Sequence, residues 1–433
     1  MNSYCDYFKG KKITVMGLGL LGRGLGDAKF LAECGAKLTI TDLKTEKQLK
    51  SSLCQLKKFK KITYHLGGHR LSDFKNKDFI LKAAGVPLDS PFIKEAKKNN
   101  IPVQMSTALF VKLSNAEIIG ITGTRGKSTT TQIIYEVLKA AGKHAYLGGN
   151  IKGVSTLSFL KKIKKNDIVV LELDSWQLQG FGELKISPHI AIFTNLLPDH
   201  LNYYKGNMNL YFKDKSNIFK FQNKNDFTIA GPAIAKKIKT KGKKIIPKPL
   251  PASIKLNIPG EHNLENAALA LETVKILGIK NKIIKKALSR FNGVPGRLEL
   301  IRIINGIKFY NDTTATTPKA AETGLKALGN KKNIILIMGG ADKKIDMGGL
   351  LKIVPEYTKK VILLPGSGTD KLPKKFTEKY AIVKNLNEAV NSAVNSARKG
   401  DIVLLSPAFA SFGLFKNEFD RGAQFNRLVS RLK

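Results

Sequence analysis

Acidic residues are scarce in this chain of 433 residues. Asp and Glu together number 33 against 74 Lys and Arg, which gives a formal net charge of +41. Such a balance is typical of nucleic-acid-binding proteins. The lysines, however, are scattered along the whole sequence, without a basic tail or an RNA-binding signature. We therefore interpret the charge as a lysine-rich surface and expect no specific nucleic-acid partner.

Cysteine and long apolar runs are scarce as well. Cys5, Cys34 and Cys54 are an odd number without CxxC spacing, which argues against a disulfide framework and against a zinc site. The sequence has no apolar run of about 18 residues, and its first residues lack the apolar core of a signal peptide. We expect a cytoplasmic protein without membrane insertion, and a monomer.

The length exceeds what one hydrophobic core usually supports, so roughly two to four domains are expected. Strand and helix patterns alternate throughout the chain, which predicts an α/β fold. We predict three domains, at residues 1–115, 116–292 and 293–433. They are a Rossmann-like N-terminal domain, a central domain with a P-loop ATPase-like parallel sheet, and a Rossmann-like C-terminal domain.

A nucleotide-binding fingerprint opens the first predicted domain. A strand that ends at Met16 leads into GLGLLG at 17–22, and a helix follows. A second strand then ends in Asp42, 20 residues after the last glycine of the motif. GxGxxG alone is a weak signal, but this order of elements predicts a nucleotide-binding half-domain.

A phosphate loop opens the second predicted domain. The stretch GITGTRGKSTTT at 120–131 follows a short apolar strand and leads into a helical pattern. Its glycines allow backbone amides to turn toward phosphate oxygens, the lysine supplies a positive charge, and a hydroxyl is available for Mg²⁺. A glycine-rich turn before an ordinary helix is the alternative, which the Lys-Ser-Thr run disfavours. The residues predicted to bind ATP are Gly123, Thr124, Gly126, Lys127, Ser128 and Thr129.

Polar side chains follow two later strands of the same predicted sheet. Glu172 ends one apolar strand, and Asn195, Asp199 and His200 follow the next. Ligands in open α/β sheets bind beyond the carboxyl ends of strands. We interpret Glu172 as a magnesium ligand, with helix capping as the alternative. His200 is interpreted as a metal or phosphate contact, although a histidine in a solvated loop is the alternative.

Two further groups of polar residues lie later in the chain. Asn263 and Asn266 are three positions apart on a predicted helix, so they share a face that is able to hold an adenine edge. Helix capping is the alternative. Asp312 precedes a run of threonines, and the pattern alone does not distinguish it from an N-cap.

Seven motifs, in this order, resemble those of the Mur ligases, the ATP-dependent amide-bond ligases that build the peptidoglycan stem peptide. The resemblance covers essentially the whole chain, and GLGLLG together with GGNIKG at 148–153 is similar to the glutamate-adding branch. The motifs are GITGTRGKSTTT (120–131), ELDSWQ (172–177), NLLPDHLNYY (195–204), GEHNLENAALA (260–270), GVPGRLE (293–299), NDTTATTPKA (311–320) and LSPAFASFGLFKNEFDRG (405–422).

The resemblance implies a reaction and roles for the residues that match. ATP would phosphorylate the carboxylate of UDP-N-acetylmuramoyl-L-alanine, and the amino group of glutamate would attack the acyl phosphate. The substrate-binding residues would be Leu20, Leu21, Asp42, Gly85 and Asn150. The residues at the adenine, ribose and phosphates of ATP would include Asn263, Asn266, Arg297 and Asp312. The catalytic residues would be Lys127, His200 and Lys215, and the magnesium ligands Ser128, Glu172, His200 and Lys215, the last as a carbamate.

The expected glutamate site both matches the family and departs from it. Thr316, Lys343 and Ser411 match glutamate-binding positions, whereas Thr314 stands where D-glutamate-adding relatives carry a lysine. A subgroup similar in NDTTATTP and FKNEFDRG adds L-glutamate, so the resemblance leaves D- and L-glutamate open. The alternatives to this function are another Mur-type or folylpolyglutamate-type ligase, a nicotinamide-dependent dehydrogenase, and a basic nucleotide-binding protein.

Overall fold

The computed structural model describes residues 3–200, 203–254, 256–329 and 332–432. These residues form three sheets. By contacts between residues, the chain divides into two compact units. The first unit contains residues up to 251 together with 265–287, and the second contains 252–264 and the residues from 288 onward. The first two sheets lie in the first unit and the third sheet in the second.

The first sheet is parallel and has five strands. The strands are β1 (Lys12–Met16), β2 (Lys37–Asp42), β3 (Ile62–Leu66), β4 (Phe79–Lys82) and β5 (Val103–Gln104). The helices of this part are α1 (Ser3–Phe8), α2 (Arg23–Glu33), α3 (Glu46–Leu56), α4 (Pro91–Lys98) and α5 (Ser106–Leu113). The strand order β3-β2-β1-β4-β5 makes β1 and β4 neighbours at the point where the topology reverses. Ligands of open α/β sheets bind at such a point.

The cysteines correct one expectation. Cys5 of α1 and Cys34, which follows the last residue of α2, form a disulfide, while Cys54 is free and exposed. The odd number of cysteines led us to expect no disulfide framework. The structure forms a single bridge, because the packing of α1 beside the end of α2 places two cysteines together that lie 29 residues apart in sequence.

The second sheet is parallel and has six strands in the order β11-β10-β9-β6-β8-β7. The strands are β6 (Glu117–Thr122), β7 (Ala145–Gly149), β8 (Ile168–Glu172), β9 (Ile190–Phe193), β10 (Phe227–Ala230) and β11 (Lys243–Ile245). The helices between them and after them are α6 (Lys127–Ala140), α7 (Ser175–Leu184), α8 (Met208–Ser216), α9 (Glu261–Ile276) and α10 (Asn281–Arg290). Because β8 and β9 flank β6, their carboxyl ends lie beside the phosphate loop.

One apolar core is shared by the first two sheets. Its buried residues run from Phe8 and Phe30 in the first part of the chain to Phe193 and Phe219 in the second. The contact between the two parts includes α5 and α7, where Gly180 allows Met105 to approach closely. Burial of apolar surface therefore joins the two sheets into one unit.

The third sheet is mixed and has the order β12-β13-β17-β14-β15-β16. The strands are β12 (Glu299–Ile304), β13 (Ile307–Asn311), β14 (Ile334–Gly339), β15 (Thr358–Leu364), β16 (Ala381–Ile382) and β17 (Ile402–Leu405). The helices are α11 (Pro318–Leu328), α12 (Gly348–Tyr357), α13 (Lys374–Thr377), α14 (Leu386–Ser396) and α15 (Glu418–Ser430). Short 3-10 turns elsewhere are Leu71–Phe74, Leu157–Lys161, Ala235–Lys237 and Thr369–Lys371.

The predicted α/β fold is confirmed, with parallel sheets in the N-terminal and central parts of the chain. The predicted domain boundaries at 115 and 292 stay predictions, since contacts between residues divide the chain into two units. The third sheet differs from a fully parallel one, because the hairpin of β12 and β13 adds an antiparallel edge strand. Separate apolar clusters cover its two faces. None of the helices formed by the described residues is long and apolar enough to cross a membrane.

Candidate active site

The phosphate loop joins β6 to α6. Gly123 has φ 139° and Gly126 has φ 83°, conformations that strain any residue with a Cβ atom. A Cβ atom at Gly126 would also collide with the side chain of Asn266, and one at Gly123 with that of Thr194. Both glycines predicted from the motif are therefore required by backbone conformation and by space.

Hydrogen bonds hold this loop in shape. The backbone N–H of Arg125 donates to the Asn195 side chain at 2.9 Å, and that of Thr124 donates to the Asn195 carbonyl at 2.9 Å. Lys127 Nζ bends back to the carbonyls of Gly123 (3.0 Å) and Thr124 (3.1 Å). The first amides of α6, which begins at Lys127, lack intrahelical acceptors. The loop therefore offers amides and a cation to an anion such as the phosphates of ATP.

Lys215 of α8 lies beneath the phosphate loop and is 1% exposed. Its Nζ donates to the carbonyl of Gly123 at 2.9 Å and to Thr122 Oγ1 at 3.3 Å. Burial, together with the nearby Lys127 ammonium, holds the pKa of Lys215 well below its usual range. The neutral amine that this favours is the form that reacts with CO₂ to give a carbamate.

Glu172 is the last residue of β8 and is buried. It pairs in register with Ile121 of β6, one residue before the end of that strand. Its backbone carbonyl accepts the N–H of Asn150 at 2.7 Å, so Glu172 and Asn150 lie side by side. The predicted magnesium ligand and one predicted substrate contact therefore come together at this edge of the sheet.

His200 lies in the same neighbourhood and has φ 53°, an uncommon backbone conformation for a residue other than glycine. Its ring lies against Trp176 at an interplanar angle of 51°, with 4.7 Å between centroids. Asp199 accepts the backbone N–H of His200 at 2.9 Å and the guanidinium of Arg125 at 2.8 Å. Burial lowers the pKa of His200, and the nearby Asp199 only partly opposes this effect. The lowered pKa favours a neutral imidazole.

The four predicted magnesium ligands contain a single carboxylate. Among the described residues, no three His, Cys, Asp or Glu side chains form a group able to hold a metal ion. Mg²⁺ prefers one or two anionic oxygen ligands together with phosphate oxygens. A carbamate on Lys215 would add the second anionic group within electrostatic range of Glu172. The donor set, completed by Ser128 and His200, fits Mg²⁺ in that form.

In the first sheet, Asp42 holds the GLGLLG turn in place. Its carboxylate accepts the backbone N–H groups of Gly19 and Lys44, both at 2.9 Å. Leu20 and Leu21 at the tip of the turn are exposed. The predicted substrate-binding turn is thus fixed by its acidic residue and exposes the side chains of Leu20 and Leu21.

The segment after β7 packs against this turn. Arg23 donates to the side-chain oxygen of Asn150 at 2.9 Å, and the N–H of Gly153 donates to the Leu21 carbonyl at 2.9 Å. The structure therefore brings Asn150 to the turn that holds Leu20 and Leu21. Gly85 is exposed in the loop after β4, the strand beside β1. All five predicted substrate-binding residues lie in the first compact unit.

The two predicted asparagines of α9 have different contacts. Asn266 lies against Gly126, in the first unit. Asn263 lies in the second unit, where its side chain donates to the Pro259 carbonyl at 2.6 Å at the start of the helix. Asn266 thus contacts the phosphate loop, and the side chain of Asn263 contacts the backbone that precedes the helix.

Asp312 and Arg297 are neighbours in the second unit. The Asp312 carboxylate accepts the Ser406 hydroxyl at 2.8 Å and the Leu298 N–H at 3.2 Å. Burial raises the pKa of Asp312 to about 7, against the opposing effects of these hydrogen bonds and of Arg297. Arg297 itself is exposed.

The three predicted glutamate-binding residues also come together. Lys343 Nζ donates to Thr316 Oγ1 at 2.8 Å. Ala341 and Ala410 pair as a short antiparallel bridge, which brings Ser411 into the same region. Thr314, at the position where relatives carry lysine, donates its hydroxyl to the Gly296 carbonyl at 3.0 Å.

The sequence analysis missed three cations, two in the first unit and one in the second. Arg125 pairs with Asp199 beside the phosphate loop. Arg421 is fully buried and donates to the backbone carbonyl of Thr313 at 2.8 Å. Lys82 is buried at the end of β4. For Arg125 and Arg421 a signal existed, because both lie inside motifs that the family resemblance used.

Comparisons with known proteins agree with this geometry. Three family models match the chain: the Mur ligase MurD-like N-terminal domain over residues 11–105, the Mur ligase middle domain over 121–248, and the Mur ligase glutamate ligase domain over 296–409. The chain belongs to the Mur ligase family.

The names of two similar proteins specify a reaction within the family. The chain is 38% identical to the UDP-N-acetylmuramoylalanine–D-glutamate ligase of Borreliella burgdorferi (strain ZS7), over 99% of each chain. It is 35% identical to the enzyme of the same name from Acetivibrio thermocellus, over 100% of this chain and 99% of the relative. The crystal structure of the UDP-N-acetylmuramate-alanine ligase MurC from Thermotoga maritima matches with TM-score 0.60 and 19% identity, over 98% of this chain and 100% of that one. That similarity concerns the fold.

Proposed function

We propose that this protein is an ATP-dependent ligase that joins glutamate to UDP-N-acetylmuramoyl-L-alanine in peptidoglycan precursor synthesis. The observation that carries the proposal is the full-length similarity to ligases named for this reaction. The contact of Lys127 and Lys215 with one phosphate loop supports it. We propose D-glutamate as the amino acid, because that isomer stands in the names of the relatives.

Residues of this chain contribute to the proposed reaction, which has two steps. A carboxylate is a poor electrophile, so its oxygen first takes the γ-phosphoryl group of ATP, and ADP leaves. Lys127 and the amides at the start of α6 offset the charge of the transferred group. The amino group of glutamate then attacks the carbonyl carbon, the bond to the phosphate breaks, and the nitrogen loses a proton.

We propose that Ser128, Glu172, His200 and the carbamate of Lys215 hold Mg²⁺. When bound, Mg²⁺ would neutralise charge on the phosphate oxygens. The lowered pKa of His200, caused mainly by burial, keeps its imidazole neutral and able to accept a proton or bind a metal. We propose that Asn263, Asn266, Arg297 and Asp312 contact the nucleoside part of ATP, and that Thr316, Lys343 and Ser411 contact glutamate.

The test is phosphate release by the purified protein with Mg-ATP, UDP-N-acetylmuramoyl-L-alanine and bicarbonate. Parallel reactions contain D-glutamate, L-glutamate or neither. We expect release that depends on D-glutamate. Release with L-glutamate alone would keep the ligase and reverse the isomer, a result that Thr314 in place of the lysine would explain. No release with either isomer would overturn the proposed function.

We also propose a cytoplasmic, monomeric enzyme without a specific nucleic-acid partner. The substrates are water-soluble nucleotides and an amino acid, and all residues proposed for their binding come from one chain. Light scattering at micromolar concentration should give the mass of a single chain. A stable dimer would overturn the monomer.

A further inference from the structure

Lys82 is a buried lysine for which the proposed reaction has no role. It is the last residue of β4 and is 2% exposed. Its Nζ donates to three backbone carbonyls of the loop that follows. They are those of Val86 at 2.7 Å, Ala83 at 3.3 Å and Ala84 at 3.4 Å. The ammonium group therefore lies inside the loop formed by residues 83–86.

An ion pair does not explain this position. No carboxylate in the described part of the chain lies within salt-bridge distance of Lys82. The charges that it experiences are those of Asp174, Asp214 and Glu183, opposed by Lys97. Burial is the largest effect and lowers the pKa of Lys82 to about 8. Burying an ammonium group without a partner carboxylate is costly, so its contacts with the loop must offset that cost.

The loop lies at the reversal point of the first sheet. Lys82 pairs in register with Met16, and the N–H of Ala83 donates to the Met16 carbonyl at 2.9 Å. A Cβ atom on Gly17 would lie 2.9 Å from the Cβ of Ala83. The loop at 83–86 is therefore in contact with the GLGLLG turn, across the site where such sheets bind ligands.

The carbonyls that face Lys82 also fix the direction of two amides. In a trans peptide, the C=O and the following N–H point in opposite directions. Because the carbonyls of Ala83 and Ala84 turn toward the ammonium, the N–H groups of Ala84 and Gly85 turn away from it. Neither N–H donates to an acceptor among the residues that the structure describes. Successive backbone amides of this kind bind anions.

We propose that Lys82 is a positioning residue that orients the loop at 83–86, so that the Ala84 and Gly85 amides bind the diphosphate of the nucleotide-sugar substrate. This inference rests on the proposed function, because the substrate of that reaction carries the diphosphate. Lys82 itself touches only the loop. Its effect is on affinity for the diphosphate, and not on the reacting carboxylate.

The first experiment compares binding of UDP and of uridine by calorimetry, without ATP. Lys82→Met removes the ammonium and keeps the length of the side chain. We expect it to weaken UDP binding by about tenfold or more and to leave uridine binding within about twofold, since a lost charged hydrogen bond is worth about one such factor. Lys50→Met, an exposed lysine of α3, is the control and should bind both like the wild type. Unchanged UDP binding, or equal losses for UDP and uridine, would overturn the inference.

The second experiment titrates binding against pH and does not require the variant to fold. Lys82 is protonated below about pH 8 and neutral above it. The charge of the diphosphate is constant there, because its last pKa is about 6, and ionisation of the uracil ring toward pH 9 affects UDP and uridine alike. Between pH 7 and 9, wild-type affinity for UDP should therefore fall by several fold more than affinity for uridine does. The charged groups that act on Lys82 are Asp174, Asp214, Glu183 and Lys97. A level UDP curve would overturn the inference.

Both experiments measure binding alone, so their outcomes are separable from those of the turnover test. A protein that loses UDP affinity with Lys82→Met but releases no phosphate with either glutamate isomer would overturn the proposed function and keep this inference. Normal wild-type turnover, with UDP affinity unchanged in Lys82→Met, would keep the proposed function and overturn this inference.

Discussion

At the scale of single residues, the candidate site is a concentration of cations around a phosphate loop. Lys127 and Lys215 each donate to the carbonyl of Gly123, at 3.0 and 2.9 Å. Two ammonium groups that donate to the same carbonyl oxygen repel each other. This repulsion, after burial, contributes to the lowered pKa of Lys215. Conversion of one of them to an anion would remove the repulsion. The carbamate proposed for Lys215 is therefore favoured electrostatically as well as chemically.

Lys215→Met should lower kcat by about a hundredfold or more, because the proposed metal site would lose one of its two anionic ligands. Wild-type turnover should also fall in buffer stripped of CO₂ and recover with bicarbonate. Phosphate release measures both effects. Lys213→Met, two residues earlier and exposed, is the matched control and should retain activity. Full activity of Lys215→Met would exclude the carbamate.

Trp176 offers an optical measure of the same site. It is the one tryptophan of the chain, and its ring lies 4.7 Å from that of His200. The resemblance to the Mur ligases implies that His200 lies near the muramoyl end of UDP-N-acetylmuramoyl-L-alanine. We therefore expect the emission of Trp176 to change when this substrate binds without ATP. Titration of the wild type measures this change, and Trp176→Phe should abolish the signal. Constant emission at saturating substrate would place the muramoyl end elsewhere.

At the scale of elements, α2 determines how the first sheet meets the second. Asp27 is fully buried in this helix and accepts the Ser155 hydroxyl at 2.6 Å. On the preceding turn, Arg23 reaches Asn150. The helix that starts at the predicted substrate turn therefore also holds the segment that carries Asn150.

Asp27→Asn should stabilise the protein relative to the wild type as pH rises. Burial raises the pKa of Asp27 from 3.8 to about 6. The carboxyl of Asp27 therefore binds its proton more tightly in the folded state than in the unfolded state. This proton stabilises the wild type at low pH, and the stabilisation is lost as pH rises from about 4 to 6. The difference in Tm, variant minus wild type, should increase over that window and level off above it. Calorimetry from pH 4.5 to 7.5 measures it. A difference independent of pH would contradict the raised pKa.

Gly26→Ala should lower Tm by about 2–6 °C, although alanine favours helices. Its Cβ would lie 2.6 Å from that of Ser155, whose hydroxyl is already committed to Asp27. Overpacking of this kind costs about 1–3 kcal/mol. Gly349→Ala in α12 is the control, because its Cβ meets nothing within 4 Å, and it should raise Tm slightly. Equal behaviour of the two variants would show that the contact with Ser155 adapts without cost.

The sequence predicted those parts of the site whose residues are adjacent along the chain. The phosphate loop was readable because its glycines, lysine and hydroxyls occupy one stretch between a strand and a helix. The role of Lys82 could not be predicted, because its hydrogen-bond partners are backbone carbonyls, which every sequence has. The edge strand β3 was also missed, since its residues are only partly buried and show no clear alternation. The disulfide depends on the packing of α1, which no spacing of cysteines reveals.

At the scale of the whole molecule, the net charge of +41 remains without a structural role. We expect retention on random double-stranded DNA at about 20 mM salt and release by about 0.3 M, the pattern of non-specific attraction. Turnover at about 0.15 M salt should not change when such DNA is added. Filter binding across salt concentrations, beside phosphate release, tests this. Retention that prefers one sequence and survives high salt would indicate a nucleic-acid function.

The core shared by the first two sheets restricts how a hybrid of two such ligases can be assembled. Phe110 of α5 and Phe159 of the second sheet's segment contact each other at 6.1 Å between ring centroids, inside one apolar cluster. In a hybrid that changes from one parent sequence to the other near residue 115, the residues of this cluster would come from two different parents, and their side chains would not be matched. The clusters of the third sheet contain no residue before 298 among their buried members. Recombination with a distant relative should therefore disturb packing less near residue 293, where only residues 252–264 of the second unit change parent, than near residue 115.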